Sequence, residues 1–483
     1  MLSKPLRAMS DEPYVRRPKG ATDGIIRRRR IQKDKEEMKL RHSAKSVFNP
    51  QGKIPELFVL SGILSNDANW QLESAKYIRE LLKSEWSFSL NEIYPGILLF
   101  FVEFLNKDDF PQLQVEAAEV LTMVTAGSSE DTKLVIDHGV VPLFVKLFNS
   151  PNKDVCEKAV WLLGNIASDS PMSRDIVLNH GVLNHLLELM DKVSEIKILS
   201  KATWVLSALC QGTPKPPFEQ VKPAYSLLQR LIYLDDEEVL RNAFLSLCYI
   251  SDDGTIDKIQ PLIEAEVFPR IVELLSYPSR AVVAPAVHVI RNLVAVDKRQ
   301  AQCVIDHGGL LHLLQILSRD YIMKSIKKDA CFIISNIAAG THDQIQAVID
   351  ANLIGPLVYL LQAAEFDLKK EAASVIFHVI TRGTPEHIRS VVLTGCILPM
   401  CDLLGSRDLD MVRMCLLSID RIFRTGELEK KAMPGGRNIY AQLIFEAGGL
   451  EKIGNMEFND NPEISEEAVK ISDTYDHSDE EVD

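Results

Sequence analysis

The eight residues LLGNIASD at 162–169 have counterparts along the chain: VLTMVTAG at 120–127, VLSALCQG at 205–212, SLCYISDD at 246–253, VIRNLVAV at 289–296, IISNIAAG at 333–340 and VIFHVITR at 375–382. Their fourth residues, Met123, Asn165, Ala208, Tyr249, Asn292, Asn336 and His378, are spaced 42, 43, 41, 43, 44 and 42 positions apart. A period held that tightly over seven copies marks a structural repeat. A second string follows most copies: VIDHGVVPLFVKL at 135–147, VLNHGVLNHLLEL at 177–189, IEAEVFPRIVELL at 263–275, VIDHGGLLHLLQI at 304–316, VIDANLIGPLVYL at 348–360 and VLTGCILPMCDLL at 392–404. Each reads as a short apolar helix, a glycine or small polar stop, and a longer helix with leucine at helical spacing.

Three helices in roughly 40–47 residues is the armadillo period. One such unit leaves an apolar face uncovered, so copies must stack. The expected fold is all-α, a right-handed superhelical solenoid whose third helices line a concave surface. About ten repeats are expected over 47–471. The remaining ends read differently. Residues 1–46 carry 14 Lys and Arg against six Asp and Glu and are broken by Pro5, Pro13 and Pro18. Too poor in apolar residues to fold alone, they are expected to be a disordered basic arm whose stretch 25–45 can turn helical on a partner through Ile26, Met38 and Leu40. Residues 472–483 are expected to be a solvated acidic tail, with six acids between Asp473 and Asp483.

Of 54 basic and 67 acidic residues in the chain, 40 and 61 lie beyond the arm, so a +8 arm is joined to a −21 body. That polarity invites self-association or a shared ligand. No apolar run approaches the ~20 residues of a membrane span and no secretory signal opens the chain, so a soluble intracellular protein without membrane contact is expected. The eight cysteines stand singly among apolar residues, which suits reduced core fillers. No phosphate loop, nucleophile elbow, HExxH pair or Cys/His cluster appears. Neither an enzyme nor a cofactor or metal site is expected. His138, His180 and His307 recur beside the repeat stop, where a cap or a solvated ring is expected in place of a metal ligand. The run 213–217, TPKPP, reads as an inter-helix loop.

Binding is the remaining function class. The fourth-slot residues and those four positions earlier share a helical face, giving one pair per repeat: Glu119/Met123, Trp161/Asn165, Trp204/Ala208, Leu245/Tyr249, His288/Asn292, Phe332/Asn336 and Ser374/His378. A row of Asn amides can satisfy an extended peptide backbone whatever its sequence. Trp rings can sandwich Lys or Arg stems, at about 0.5–2 kcal/mol each.

These strings resemble importin-α, the armadillo adaptor that carries nuclear-localisation signals. VWLLGNIASDS from Val160, TWVLSALCQGTPKPP from Thr203 and KDACFIISNIAAGTHDQIQAVIDANLIGPLVYLLQAAEFDLKKEAA from Lys328 carry the likeness, which runs from Leu72 to Ile471. The resemblance implies a major peptide site on Trp161, Asn165 and Trp204, flanked by Tyr249 and Asp252. It also implies a lysine pocket formed by Gly127, Thr132 and Asp169. A second, degenerate site would comprise His288, Asn292, Phe332, Asn336 and Glu371. Glu119/Met123 stand where the family has its first Trp/Asn pair. Ala208 replaces an Asn, Leu245 a Trp and Asn242 an Asp. Phe332 and Ser374 replace Trp, and His378 replaces Asn. A two-cluster basic peptide is therefore expected to gain less than about tenfold (~1.4 kcal/mol) over its one-cluster half.

The arm is similar to the family's importin-β-binding segment at Arg27, Arg28, Arg29, Arg30, Lys33, Lys35, Lys39 and Arg41, which implies an importin-β-type carrier as partner. The run from Cys401, CDLLGSRDLDMVRMCLLSIDRIFRTGELEKK, with EAGGLEKI from Glu446, is similar to the last repeat, which contacts an export receptor. The expectation is a nuclear import adaptor of cytoplasm and nucleus. The alternative is a non-transport armadillo scaffold or regulator with a degenerate groove. Nucleic-acid binding by the arm ranks below both.

Overall fold

The computed structural model describes residues 56–84, 96–252, 255–297, 299–319, 323–432 and 437–479, so the basic arm and its cationic residues lie outside the described residues. The described chain is helical throughout and falls into two units, divided after Ser87. In the first, helices Glu56–Ile63 and Ala68–Ser84 pack together, with the Gln71 side chain donating to the Ser65 carbonyl at 2.6 Å.

The second unit is a solenoid of three-helix repeats. Among the described residues it has nine long third helices: α1 Pro111–Val124, α2 Lys153–Asp169, α3 Ile196–Cys210, α4 Glu237–Ser251, α5 Arg280–Val296, α6 Lys324–Ala338, α7 Phe366–Arg382, α8 Leu409–Ala432 and α9 Pro462–Asp479. Each stacks on the next in chain order. Their starts are signalled locally. Asn152 accepts from the Asp154 amide at 2.9 Å, Asp236 from that of Val239 at 2.9 Å, and Ser279 from that of Ala281 at 3.3 Å. Each side-chain oxygen satisfies one otherwise orphaned N–H of the first turn. The inner faces are apolar and closed, with Leu162, Leu163 and Ile166 of α2 at 0% exposure. Among the described residues no single helix is long and apolar enough to cross a membrane.

The repeat stops are left-handed backbone. Gly139, Gly181, Gly308, Gly395 and Gly448 have φ between 65° and 88°. Glu266 (φ 52°) and Asn352 (φ 57°) hold the corresponding place in two other repeats. A side chain there costs about 1–2 kcal/mol relative to glycine. Replacing the exposed Glu266 with glycine should therefore stabilise the protein by about 1 kcal/mol in denaturant melts. A loss of stability would contradict this account of the stop. His180 and His307 behave as the caps expected of them, each ring lying 2.8–2.9 Å from a carbonyl of the preceding turn.

Two expectations are corrected. The chain beyond Ile471 is not a bare solvated tail, because α9 continues to Asp479 and the Tyr475 ring rests against Phe423, their centroids 5.4 Å apart. Ile464, Ala468, Ile471 and Tyr475 hold one helical stripe, while Glu463, Glu466 and Asp473 are exposed. Nor is 213–217 a plain connector. Arg174, only 1% exposed, donates to the carbonyls of Gln211 at 2.5 Å and Pro214 at 2.9 Å, tying the run to the preceding repeat.

The cysteines conform to their reading as fillers: all eight are free thiols and all but Cys303 are buried. Burial pushes Cys210 and Cys415 up to about 12, so their unreactive thiol form persists at physiological pH.

Candidate functional site

Along the second halves of third helices α2 to α7 most side chains are buried, and most of the paired positions are among the exceptions. Trp161 and Asn165, Trp204, Leu245 and Tyr249, His288, Phe332 and Asn336, then Ser374 and His378 are all partly exposed. Because adjacent third helices stack, this ladder forms one surface across successive repeats.

At its first end the two tryptophans lie on neighbouring helices. The Trp204 indole packs over Gly164 of α2: a methyl group built on that glycine would sit 2.0 Å from the ring. Gly164 is thus the residue that lets the ring lie flat on the previous repeat. Asn165 sends its amide to the Thr122 carbonyl of α1 at 2.8 Å. Two serines hold Asp169, which the resemblance implies in a lysine pocket. Ser129 donates to Asp169 across one repeat at 2.8 Å, and Ser173 donates to the other carboxylate oxygen at 3.2 Å. Gly127 and Thr132 lie on the loop and helix start around Ser129, so all three implied pocket residues share this corner. Thr132 requires a correction: it is 0% exposed, and its hydroxyl is turned to the Ser128 carbonyl at 3.2 Å. It shapes the loop from beneath and offers no oxygen to a ligand.

The sequence reading missed the cations. The ammonium groups of Lys158 and Lys201 lie 5.3 and 5.1 Å from the centroid of the Trp161 ring. Lys158 is paired with Glu119 of α1. Lys201 is paired with Glu157, which Lys197 also reaches at 2.9 Å. Burial tends to raise the Glu157 carboxyl, but the bonds from Lys201 and Lys197 outweigh it and hold it below the usual range.

Further along, Asp252 meets Lys215 of the 213–217 loop at 3.0 Å and His288 at 3.5 Å. The other His288 nitrogen meets Asp329 at 3.0 Å, and Arg291 reaches Asp329 at 3.1 Å. Asp252, read as flanking one site, and His288, read as part of another, are therefore one ionic cluster. The guanidinium of Arg291 stacks on Phe332, 4.6 Å from its centroid. Asn292 also needs correction, being 3% exposed with its amide donating to Ser251 at 3.1 Å. The Asn336 amide donates to the Phe332 carbonyl at 2.9 Å. Ser335 meets both Ser374 and His378 at 2.9 Å. Burial, aided by Arg382, pushes His378 down to about 4, so the ring is neutral at physiological pH. Burial also raises the Glu371 carboxyl, against the pull of Lys328 and Arg291.

His288 behaves oppositely. Burial alone would lower its pKa, but the hydrogen bonds it donates to Asp252 and Asp329 raise it to about 9. A raised folded-state pKa gives stability that is complete below the unfolded value near 6.5 and is lost as pH climbs toward 9. Between those limits the wild type should lose about 3 kcal/mol more than His288→Gln in denaturant melts at the two pH values. Parallel losses in the two proteins would show that the imidazolium is not held this way.

Comparison with known proteins follows the same lines. The Armadillo/beta-catenin-like repeat matches residues 128–168 and 341–379, and the Atypical Arm repeat matches 438–483. The crystal structure of an engineered protein, 24% identical, aligns over 86% of this chain and 97% of its own with a TM-score of 0.71, a likeness of fold. Importin subunit alpha-1a of Oryza sativa subsp. japonica is 48% identical over 418 residues, 86% of this chain and 79% of that protein. Importin subunit alpha-2 of Arabidopsis thaliana is 50% identical over 462 residues, 86% of this chain and 78% of that protein. With the repeat ladder in place and identity near one half over most of both chains, this protein belongs to the importin-α family.

Proposed function

We propose that the protein is a nuclear import adaptor: its ladder grips a lysine- or arginine-rich localisation signal of a cargo protein, and its arm recruits an importin-β-type carrier. The observation that carries this reading is the convergence of Trp161, Asn165, Trp204 and Asp169, all partly exposed, on neighbouring repeats. Stacked indoles suit lysine stems, the asparagine suits a peptide backbone, and Asp169 suits an ammonium head. Of the second site, only Phe332, Asn336 and Glu371 keep partial exposure without joining the His288 cluster, and Arg291 already covers Phe332. That favours a weak second site. Arg27, Arg28, Arg29, Arg30, Lys33, Lys35, Lys39 and Arg41 would bind the carrier and, when it is absent, compete for the groove. The last repeat would meet an export receptor, and the protein would move between cytoplasm and nucleus.

One observation favours the scaffold reading instead: the chain's own cations occupy Asp252, Asp329 and Phe332. Two measurements separate the readings. A lysine-rich signal peptide is titrated by fluorescence anisotropy against the full chain and against residues 47–483, and a synthetic 1–46 peptide is tested for capture of an importin-β-type carrier. The adaptor should bind at low micromolar Kd or tighter, more tightly without the arm, and the arm should capture the carrier. Binding without carrier capture would favour a scaffold.

A further inference from the structure

The third slot of the recurring string is small and buried at Thr122, Gly164, Ser207, Cys248 and Ser335. It lies against the first member of the next repeat's pair: Gly164 takes the Trp204 ring, and Ser335 meets Ser374 at 2.9 Å. In α5 the same slot holds Arg291, and the next pair member is Phe332. A long cation thus stands where other repeats keep a small side chain. Its guanidinium lies 4.6 Å from the Phe332 centroid, and its Nε meets Asp329 at 3.1 Å. A terminal nitrogen donates to the Asn292 side-chain oxygen at 3.4 Å, while the Asn292 amide nitrogen is given to Ser251. A ring face, a carboxylate and an amide oxygen are the contacts that a peptide arginine would make. Arg291 makes all three from within the chain, without the loss of translational freedom that a ligand bears, so an entering basic side chain would have to displace it. The Asp329 end of this contact is well enclosed, its side chain 14% exposed and also met by His288 at 3.0 Å.

We infer that Arg291 is a specificity-determining residue, a built-in occupant that closes the Phe332 subsite to basic side chains and confines the groove to basic peptides of one cluster. This rests on the groove being a peptide site. It goes further than a weak second site, because it assigns the weakness to one removable side chain and not to the departures at Ser374 and His378.

The test compares a two-cluster basic peptide with its one-cluster half by fluorescence anisotropy on the full chain. In the wild type the second cluster should add less than about tenfold in affinity. Arg291→Ser, which gives α5 the residue that α3 and α6 carry in this slot, should raise that gain by roughly tenfold and leave the one-cluster affinity unchanged. Asp329 keeps His288 as a partner in this variant. Ser374→Trp/His378→Asn, which instead gives α7 the pair that Trp161 and Asn165 form in α2, should leave the gain below about tenfold while Arg291 remains. Should Arg291→Ser fail to fold, Arg291→Ala serves with the same expectation, alanine being the strongest helix former. A gain above about tenfold in the wild type, or one unchanged in the Ser or Ala variant, would overturn this inference while leaving the groove reading intact. So would a large gain from the α7 pair alone. Absence of binding by either peptide would overturn both.

Discussion

Asp169→Lys should weaken binding of a lysine-rich peptide by roughly a hundredfold or more, about 2.7 kcal/mol, with little change in fold. The carboxylate stands at the corner where α2 ends, held by the hydroxyls of Ser129 and Ser173 at 2.8 and 3.2 Å. Both hydroxyls donate to it and hold its orientation, and an ammonium would meet it in a charge-assisted hydrogen bond. Reversing the charge removes that attraction and adds repulsion at the same point. The substitution also costs two hydroxyl bonds at the surface, so Asp169→Asn is the control: it keeps the side-chain shape and should lose a smaller part of the affinity. Binding should weaken with salt, since an exposed charge interaction is screened over about 10 Å at 0.1 M. Unchanged affinity in Asp169→Lys would place the peptide elsewhere.

Arg174→Met should destabilise the solenoid by about 3 kcal/mol, although Arg174 lies outside the proposed site. Its guanidinium is 1% exposed and serves the carbonyls of Gln211 and Pro214 together with the Asp175 carboxylate at 2.7 Å. Gly212 makes room for it: a methyl group there would lie 2.8 Å from the guanidinium. Methionine fills similar volume but leaves two carbonyls without their donor, at about 1–3 kcal/mol for each buried group. The same loop delivers Lys215 to Asp252, so the damage should spread along the groove. Repeat solenoids hold together through nearest-neighbour contacts, so the variant should melt in two steps where the wild type melts in one. A midpoint and slope in guanidinium equal to the wild type would refute this role.

The fold was legible because its causes are local and periodic: the string at 162–169 and its copies set the third helices, and the glycine stops set the turns between them. The tail was misread because acids were counted where a helical stripe should have been traced. Ile464, Ala468, Ile471 and Tyr475 carry that stripe into the acidic run. The placement of Trp161, Asn165, Trp204 and Asp169 at partly exposed positions of adjacent repeats was legible from the period. What decides the site's chemistry was not. Glu119 with Lys158, Glu157 with Lys201, and His288 with Asp329 are separated by about one repeat period, 39, 44 and 41 positions. Reading along one helix cannot show them. A signal did exist: Lys158 and Lys201 each stand three residues before a tryptophan, on the same helical face. Thr132 and Asn292 were assigned to contact by likeness of position, whereas the packing places both beneath the surface.

Fluorine NMR of the protein labelled with 5-fluorotryptophan tests the central claim most directly, because Trp161 and Trp204 are the tryptophans on the ladder among the described residues. Resonances are assigned through Trp161→Phe and Trp204→Phe, and a lysine-containing peptide is titrated to saturation. The Trp161 and Trp204 signals should move together along one binding curve. A peptide that saturates the protein without shifting either ladder resonance would contradict the account.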